Sequence, residues 1–397
     1  MRQLKFITFI IISLIVLLLT VGCPSSGSDN NDNDGDSSNN NGGNGNTYPP
    51  SPSAPPDSQG GDNNNTDSII ADSNLETAIR EALNKTSDPI TIADLQSLEA
   101  LVAEQKGITN LSGLEHCTNL RLLNLTGNNI SDIGILGGHP NLWELNLNNN
   151  NISEIYALEA LPNLHILHLA NNNISDITVI GSLFNLWELH LDFNDISDIS
   201  AIAGLGQLQQ LYLSDNNISD VSALSGHPAL GVVELSNNSI SDISTLDGLP
   251  ILMVLGLNSN NIGDISSLGS LTTLMHLHLP DNNVSNISAL AGLINLVVLD
   301  INENNVSDIS VLTSLTNLEH LHLFGNSIGD ISALAGLSKL MTLTLGSNNI
   351  SDISPLVENS GLSTGDVVVL YPNPLSETSI STYVPQLKGR GVEIPSE

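Results

Sequence analysis

A period of 22 residues constrains the fold of this chain more than any other feature. Leucine recurs at this spacing with no insertion or deletion, and a weaker copy of the unit begins at Leu98. The regular leucines are Leu120, Leu142, Leu164, Leu186, Leu208, Leu230, Leu252, Leu274, Leu296, Leu318 and Leu340. Self-similarity at a fixed short period predicts a stack of equivalent units rather than a domain that closes on itself.

The order of apolar residues within one copy predicts what each unit forms. In the copy that starts at Leu142, Leu145 and Leu147 are two residues apart, so both point to one side of a short strand. Glu144 and Asn146 point to the other side. The rest of the copy does not follow a period of two, which predicts a loop with a short helical turn. This L-x-x-L-x-L-x-x-N pattern is typical of a leucine-rich repeat solenoid, whose units bury a continuous core only when they stack.

We therefore predict an α/β solenoid with a parallel β-sheet on its concave face and short helical turns and loops on its convex face. Residues 98–361 would form twelve coils, and residues 362–397 a C-terminal cap with a last strand near residues 365–371, a closing helix at 379–387 and a final strand near 391–394. A solenoid needs such caps because its end coils would otherwise expose core to water.

Residues 69–97 depart from the repeat and predict a helical N-terminal cap. One helical face would carry Leu75, Ile79, Ala82 and Leu83, with Asp72 or Ser73 capping the start of the helix. A second short helix would begin near Ile92.

Each copy carries an Asn where the strand ends and the chain turns. Its amide can both donate and accept, so stacked Asn side chains would satisfy backbone groups that the turn leaves unpaired. These residues are Asn128, Asn150, Asn172, Asn194, Asn216, Asn238, Asn260, Asn282, Asn304, Asn326 and Asn348.

An Asp precedes the helical turn in most copies, at a place where its carboxylate would cap free N–H groups. Glu154 and Asn286 fill the same position without interrupting the repeat, which favours capping over the alternative, a row of calcium ligands. The residues are Asp132, Asp176, Asp198, Asp220, Asp242, Asp264, Asp308, Asp330 and Asp352.

The first 68 residues are of two kinds. Residues 1–22 carry two basic residues and then an apolar run, which is typical of a secretory signal. Residues 23–68 consist almost wholly of Ser, Asn, Asp, Gly and Pro, and we interpret them as a disordered tether.

The end of the signal, Leu19–Cys23, resembles the lipobox of bacterial lipoproteins. This resemblance implies cleavage before Cys23, acylation of that residue, and membrane attachment through the lipid alone. The alternative is an uncleaved N-terminal membrane helix. Pro24 stands where inner-membrane lipoproteins commonly have Asp, which favours the outer membrane or the cell surface.

The helical segment at 69–97, followed by repeats with the pattern N-x-I-S-D-I, as in Asn172–Ile177, resembles the internalin-like class of bacterial leucine-rich repeat proteins. The resemblance covers residues 69–397. It implies the solenoid fold described above, but it says little about function because one fold serves many functions.

Charge narrows the choice of partner. The chain has a formal net charge of −33, and no Lys or Arg lies between Arg121 and Lys339. Nucleic acid is excluded as a partner because phosphate contacts need basic residues. The acidic field favours a basic protein partner or divalent cations. Alternatively, acidity only keeps a long exported rod soluble or reflects a salty habitat. Cys117 occupies a core position and is interpreted as a buried hydrophobe.

Equivalent positions of successive strands form rows on the concave face, and six of the ten histidines fall in two of these rows. Tyr and Trp are enriched at interfaces, and His is frequent in polar ligand sites. We predict protein-binding residues at Glu144, His168, Glu188, His190, Tyr212, Glu234, His278, Asp300 and His322.

Part of this surface also has the donor set for a transition metal, since imidazole and carboxylate suit zinc, nickel or copper. The candidate ligands are His276, His278, Asp300, His320 and His322. The same cluster could act as a pH switch, and the alternative is a set of solvated polar side chains.

No sequence motif supports catalysis: the chain has no Gly-rich phosphate loop, nucleophile elbow or HExxH. We predict no catalytic residues and no cofactor other than a divalent metal ion. The leading hypothesis is a monomeric, non-enzymatic recognition or adhesion module of the cell envelope or surface that binds a protein on its concave face. The alternative is a metal- or calcium-binding surface protein that uses the His and Asp cluster.

Overall fold

The computed structural model describes residues 69–396, so the predicted signal segment, Cys23 and the tether lie outside the described part. Within it, thirteen strands form one sheet in chain order. The strand pairs are parallel, as in β4 and β5, and short 3₁₀ turns connect most strands. The predicted solenoid is confirmed. Among residues 69–396, no helix is long and apolar enough to cross a membrane.

The strands are three residues long and recur with the repeat. They are β1 (Ala100–Val102), β2 (Leu122–Asn124), β3 (Glu144–Asn146), β4 (Ile166–His168), β5 (Glu188–His190), β6 (Gln210–Tyr212), β7 (Val232–Glu234), β8 (Val254–Gly256), β9 (His276–His278), β10 (Val298–Asp300), β11 (His320–His322), β12 (Thr342–Thr344) and β13 (Val367–Val369). Equivalent residues pair across neighbouring strands, as His168 does with His190. The predicted rows therefore exist. We call the side that carries the first and third residue of each strand the sheet face.

The connecting 3₁₀ turns lie at Leu114–His116, Gly134–Gly138, Tyr156–Ala160, Thr178–Ser182, Ser200–Gly204, Ser222–Leu224, Ser244–Gly248, Ser266–Ser270, Ser288–Gly292, Ser310–Ser314 and Ser332–Gly336. The α-helices of the described residues lie near the two ends of this part of the chain. They are α1 (Ser73–Leu83), α2 (Ile92–Gln96), α3 (Ser354–Glu358) and α4 (Val384–Gly389).

The core lies between the sheet and the turns. The middle residue of each strand is buried, and Leu145 and Leu167 are fully so. Cys117 is also fully buried, and burial raises the pKa of its thiol to about 12. Its prediction as a buried hydrophobe is confirmed. His139 and His227 occupy the same repeat position as Cys117 and are buried too, which the sequence analysis did not identify.

The Asn residues at the strand ends form the predicted ladder. The Asn150 amide donates to the carbonyl oxygens of Leu125 (3.1 Å) and Leu147 (3.0 Å) and accepts from the Ile130 N–H (3.0 Å). The same three kinds of bond recur at Asn194 and Asn216. Each amide therefore joins two coils through backbone groups that lie in the core.

The Asp residues before the turns act as caps, as predicted. Asp176 Oδ1 accepts the Thr178 N–H at 2.8 Å, and the bonds from Thr178 lower the pKa of Asp176. Asn286 makes the equivalent bond to Ser288 N–H at 2.9 Å. The bond thus survives where the charge is absent, which supports capping over a row of calcium ligands.

Two helices precede the first strand. Asp72 caps α1 by accepting from Asn74 N (2.9 Å) and Leu75 N (3.1 Å), and its second oxygen accepts from Thr109 N (2.9 Å) on the first coil. The predicted apolar face of α1 is wrong at Ala82, which is exposed, whereas Ala78 is buried. Ala82 lies on the solvent side of the last turn of α1, whereas its neighbour Leu83 is half-buried against the core.

After the last regular coil, β13 adds one strand to the sheet. A π-helix (Ser379–Tyr383) and α4 follow. The predicted final strand near residues 391–394 is reduced to a single parallel bridge between Val367 and Glu393. The backbone of this segment also pairs with Val368, since Val368 N–H donates to Glu393 O at 2.8 Å.

Candidate functional site

The sheet face of strands β4 and β5 brings two imidazoles onto one carboxylate. Nε2 of His168 and Nε2 of His190 each lie 3.0 Å from Oε1 of Glu188. We call these three residues the imidazole–carboxylate trio. Glu188 is only 8% exposed. Burial by itself raises the pKa of its carboxyl, but the hydrogen bonds from the two histidines lower it to about 2. The carboxylate is therefore ionised.

A stack of rings continues from the trio along the central row. The rings of His168 and His190 have centroids 4.2 Å apart, and those of His190 and Tyr212 lie 4.1 Å apart and nearly parallel. The Tyr212 hydroxyl donates to Gln210 Oε1 at 3.0 Å. Burial, together with nearby carboxylates, raises the pKa of Tyr212. This part of the face is therefore ordered by contacts between side chains of successive coils.

Glu234 ends the stack with a buried carboxyl group. It is 9% exposed, and its Oε1 has no hydrogen-bond partner among the described residues. A side chain at Gly256, on the next strand, would collide with this carboxyl group, so Glu234 fills the space that glycine leaves. Burial and the charge of Asp192 raise the pKa of Glu234 to about 8. The group is thus largely neutral at pH 7.

The other predicted residues lie in the same sheet but are not all brought together. Glu144 is half-buried on β3, where it pairs in register with Ile166. It lies two strands away from Glu188, because β4 stands between β3 and β5. The structure therefore groups His168, Glu188, His190, Tyr212 and Glu234 along β4–β7.

The five residues predicted as metal ligands occupy β9, β10 and β11. In residues 69–396, the trio is the one group of three or more His, Cys, Asp or Glu residues whose ligand atoms all lie within 4.8 Å of one another. The five residues predicted as metal ligands contain no such group of three. They are His276, His278, Asp300, His320 and His322.

Asp300 shows why this second set does not converge. It lies between the two His-bearing strands, but its Oδ1 accepts the backbone N–H of Asn302 at 3.0 Å. Burial raises the pKa of Asp300 to about 6. Burial and the neighbouring histidines His276 and His322 lower the pKa of His278 to about 4. His278 is therefore neutral over the range in which a switch near pH 6.5 would operate.

A cluster of aromatic side chains lies just before strands β3–β5, and the sequence analysis did not group its members. We call Trp143, His165 and Trp187 the aromatic cluster. The ring of Trp143 stacks on His165 at 5.4 Å and meets Trp187 edge-on at 5.6 Å. Both tryptophans remain more than a third exposed. The 22-residue spacing of the three residues was the signal that could have revealed the cluster.

Leucine-rich repeat families match much of the chain. The family described as "Leucine Rich repeats (2 copies)" matches residues 140–182, 206–250 and 316–358. Two families described as "Leucine rich repeat" match residues 162–218 and 116–137. None of the curated proteins matches this chain in sequence.

Solved structures give further relatives. A leucine-rich repeat protein of Leptospira interrogans is 23% identical, with a TM-score of 0.67, and the match covers 73% of this chain and 81% of that protein. The ectodomain of the Arabidopsis thaliana receptor kinase GASSHO1/SCHENGEN3, solved in complex with CASPARIAN STRIP INTEGRITY FACTOR 2, is 21% identical with a TM-score of 0.58. That match covers 72% of this chain and 42% of the receptor chain. Both share the fold.

The internalin inlF of Listeria monocytogenes is more similar in sequence. It is 33% identical with a TM-score of 0.67, and the match covers 74% of this chain and 94% of the internalin. This identity, over nearly the whole of the internalin, together with the repeat pattern and the sheet, shows the family. The chain belongs to the internalin family of leucine-rich repeat proteins.

Proposed function

We propose that this chain is a non-enzymatic protein-binding module of the bacterial cell envelope or surface, and that it binds its partner on the sheet face. The observation that carries this proposal is the aromatic cluster, in which exposed Trp143 and Trp187 directly precede β3 and β5, next to the trio on β4 and β5. Exposed tryptophans in contact with one another are typical of the residues that dominate binding energy at protein interfaces.

The extent of the face suits a protein better than a small molecule. Thirteen strands at a spacing of ~4.8 Å give a surface roughly 60 Å long. A standard interface needs about 800 Å² from each partner. The fold also serves binding elsewhere, since a plant receptor ectodomain of this fold forms a complex with another factor.

Charge supports a basic partner. The formal net charge of the chain is −33, the sheet face carries the ionised Glu188, and no Lys or Arg occurs between Arg121 and Lys339. A partner with Lys and Arg at its contact surface would be steered toward this field and would neutralise it on binding.

The location and the anchor belong to the same proposal. Acylation of Cys23 would hold a monomeric solenoid at the membrane, and residues 23–68 would let it reach away from the lipid. Protease treatment of intact cells, followed by detection of peptides from residues 98–361, tests this placement. Release from unbroken cells supports the surface. Protection until the outer membrane is opened would contradict surface adhesion and move the protein to the periplasm.

The binding face is tested by retention of envelope proteins on the immobilised chain. We expect a protein retained by the wild type to be lost with the double variant Trp143→Ala and Trp187→Ala. The matched control, Tyr156→Ala with Phe184→Ala, also removes two exposed aromatic residues, but from the side of the 3₁₀ turns. If the control loses the protein and the tryptophan variant keeps it, the sheet face is not the binding surface.

A further inference from the structure

We propose that His168, Glu188 and His190 form a binding site for a divalent transition-metal ion of the zinc type. This site lies on β4 and β5, away from the histidines of β9 and β11 that the sequence indicated. It is independent of protein binding, since either activity could exist without the other.

The geometry of the trio is close to that of a metal site. Each imidazole Nε2 lies 3.0 Å from the same carboxylate oxygen, and all three ligand atoms lie within 4.8 Å of one another. Ligands held at ~2.0–2.1 Å around a tetrahedral zinc ion are roughly 3.3 Å apart. The three ligand atoms therefore already lie near the corners of such a site. Small rotations of the side chains, which move these atoms by about 1 Å, would admit the ion.

The donor set has the right chemistry. Two imidazoles and one carboxylate are a recurrent ligand set for zinc, and the fourth position then takes water or another ligand. His168 and His190 are only half-buried, so this fourth position would face the solvent on the sheet face.

The surrounding charges favour a cation. Glu188 is buried, and among residues 69–396 its carboxylate has the two histidines as side-chain hydrogen-bond partners. No Lys or Arg occurs in the coils on either side of it, so no basic side chain competes for its carboxylate. A divalent ion would supply the positive charge that this stretch of sequence lacks.

The neighbouring side chains hold the ligands in place. Nδ1 of His168 lies 3.3 Å from the amide of Asn146, and the ring of His190 is stacked on Tyr212. When Nε2 of a histidine binds a metal, its Nδ1 carries the proton and needs an acceptor. Asn146 would supply one by turning its amide oxygen toward His168, at the cost of the bonds that this oxygen accepts from Asn148 N–H (3.1 Å) and from the Thr126 hydroxyl (2.8 Å).

This cost suggests a variant that strengthens the site. In Asn146→Asp, one carboxylate oxygen can accept from His168 Nδ1–H while the other keeps the bond to Asn148 N–H. Hydrogen-bonding partners of metal ligands commonly change affinity by ~10–100-fold. We expect Asn146→Asp to bind zinc more tightly than the wild type by an amount within this range.

The test is calorimetric titration of the intact, chelator-treated chain with ZnCl₂, followed by Co²⁺ as a spectroscopic probe. We expect saturable binding that includes one ion at the trio and visible absorption bands of low-coordinate Co²⁺. His168→Ala and Glu188→Gln should each remove this ion or weaken it by at least ~10-fold. Glu188→Gln retains the shape of the side chain and its acceptor oxygen, so it tests the site even if the alanine variant unfolds.

The matched controls are His278→Ala and His322→Ala, which remove histidines from the same row elsewhere on the sheet. They should leave the trio's ion and its Co²⁺ bands unchanged. The proposal is overturned if zinc does not bind, or if Glu188→Gln and His168→Ala bind it as the wild type does. It is also overturned if the control variants abolish binding instead, because the β9–β11 histidines would then be the ligands.

Discussion

At the scale of single residues, two carboxyl groups on the sheet face are almost equally buried and yet differ in charge. Glu188 is 8% and Glu234 is 9% exposed. Burial disfavours the ionised form of both groups. Glu188 receives hydrogen bonds from His168 and His190, and the net effect lowers its pKa to about 2. Glu234 has no such donors, and its pKa rises to about 8. The partners therefore decide which group carries charge.

The raised pKa of Glu234 predicts a pH-dependent stability. Its folded-state pKa lies above the unfolded value of 4.5, so the folded chain holds the proton more tightly. The stability it contributes is fully present below pH 4.5 and is lost as pH rises through about 8. Urea unfolding measures this effect. We expect the free energy of unfolding of Glu234→Gln to exceed that of the wild type by at most ~5 kcal/mol at pH 8, and by less near pH 5.

The matched control for Glu234→Gln is Glu154→Gln. It replaces the same kind of carboxyl group, but on an exposed side chain, so the protein interior is unchanged. A difference between Glu234→Gln and the wild type that stays constant from pH 5 to pH 8 would show that Glu234 titrates normally. The assignment of a buried neutral carboxyl would then be wrong.

His227 predicts the opposite dependence on pH. It is 2% exposed in a position that Leu205 and Leu249 fill in the neighbouring coils, and burial lowers its pKa. Below pH 6.5 the unfolded chain binds a proton that the folded chain resists, so stability is present above pH 6.5 and falls with the pH.

We therefore expect His227→Leu to raise the free energy of unfolding by about 1 kcal/mol at pH 7.5 and by more at pH 5. Urea unfolding at the two pH values measures both effects. An equal gain in the free energy of unfolding at both pH values would mean that the core does not keep His227 neutral. A loss of stability in the variant would mean that the core needs the imidazole ring.

At the scale of the structural element, the coil depends on its Asn ladder. Asn216 donates to Leu191 O (2.9 Å) and Leu213 O (3.1 Å) and accepts from Ile196 N–H (3.0 Å). Asn216→Ala leaves these backbone groups without partners in the core, which should cost on the order of 3 kcal/mol. The exposed Asn217→Ala is the control, and denaturant unfolding compares the two. Similar losses in both variants would contradict a structural role for the ladder.

The sequence predicts the coils well because their period has no insertions. With 22 residues in every copy, strand register and burial follow from one unit, and the rows through His168 and His190 were placed correctly. The caps were predicted less well, as with Ala82, because they have no repeating unit that fixes which side of a helix packs on the first coil.

Contacts between individual side chains could not be predicted in the same way. The repeat places Asp300 between two pairs of histidines, but the carboxylate bonds to its own backbone at Asn302. Glu188, in a flanking row, instead reaches histidines on two strands. Such choices depend on side-chain rotamers, which the spacing of residues does not determine.

At the scale of the molecule, the described solenoid offers two kinds of surface. The 3₁₀ turns carry scattered exposed side chains such as Tyr156. The sheet face carries the trio, and the aromatic cluster lies directly before strands β3–β5. Most of the coils contain no Lys or Arg. The account therefore assigns partner binding to one side of the molecule, near strands β3–β7.

Photocrosslinking in intact cells that express the chain tests this assignment most directly. A benzophenone side chain at Gln209 would border the aromatic cluster without removing it, because Gln209 follows Trp187 by one repeat. The same group at Tyr156 would report on the side of the turns. We predict a discrete crosslinked protein from position 209 and none from position 156. A crosslink from position 156 alone, or the same product from both, would contradict recognition on the sheet face.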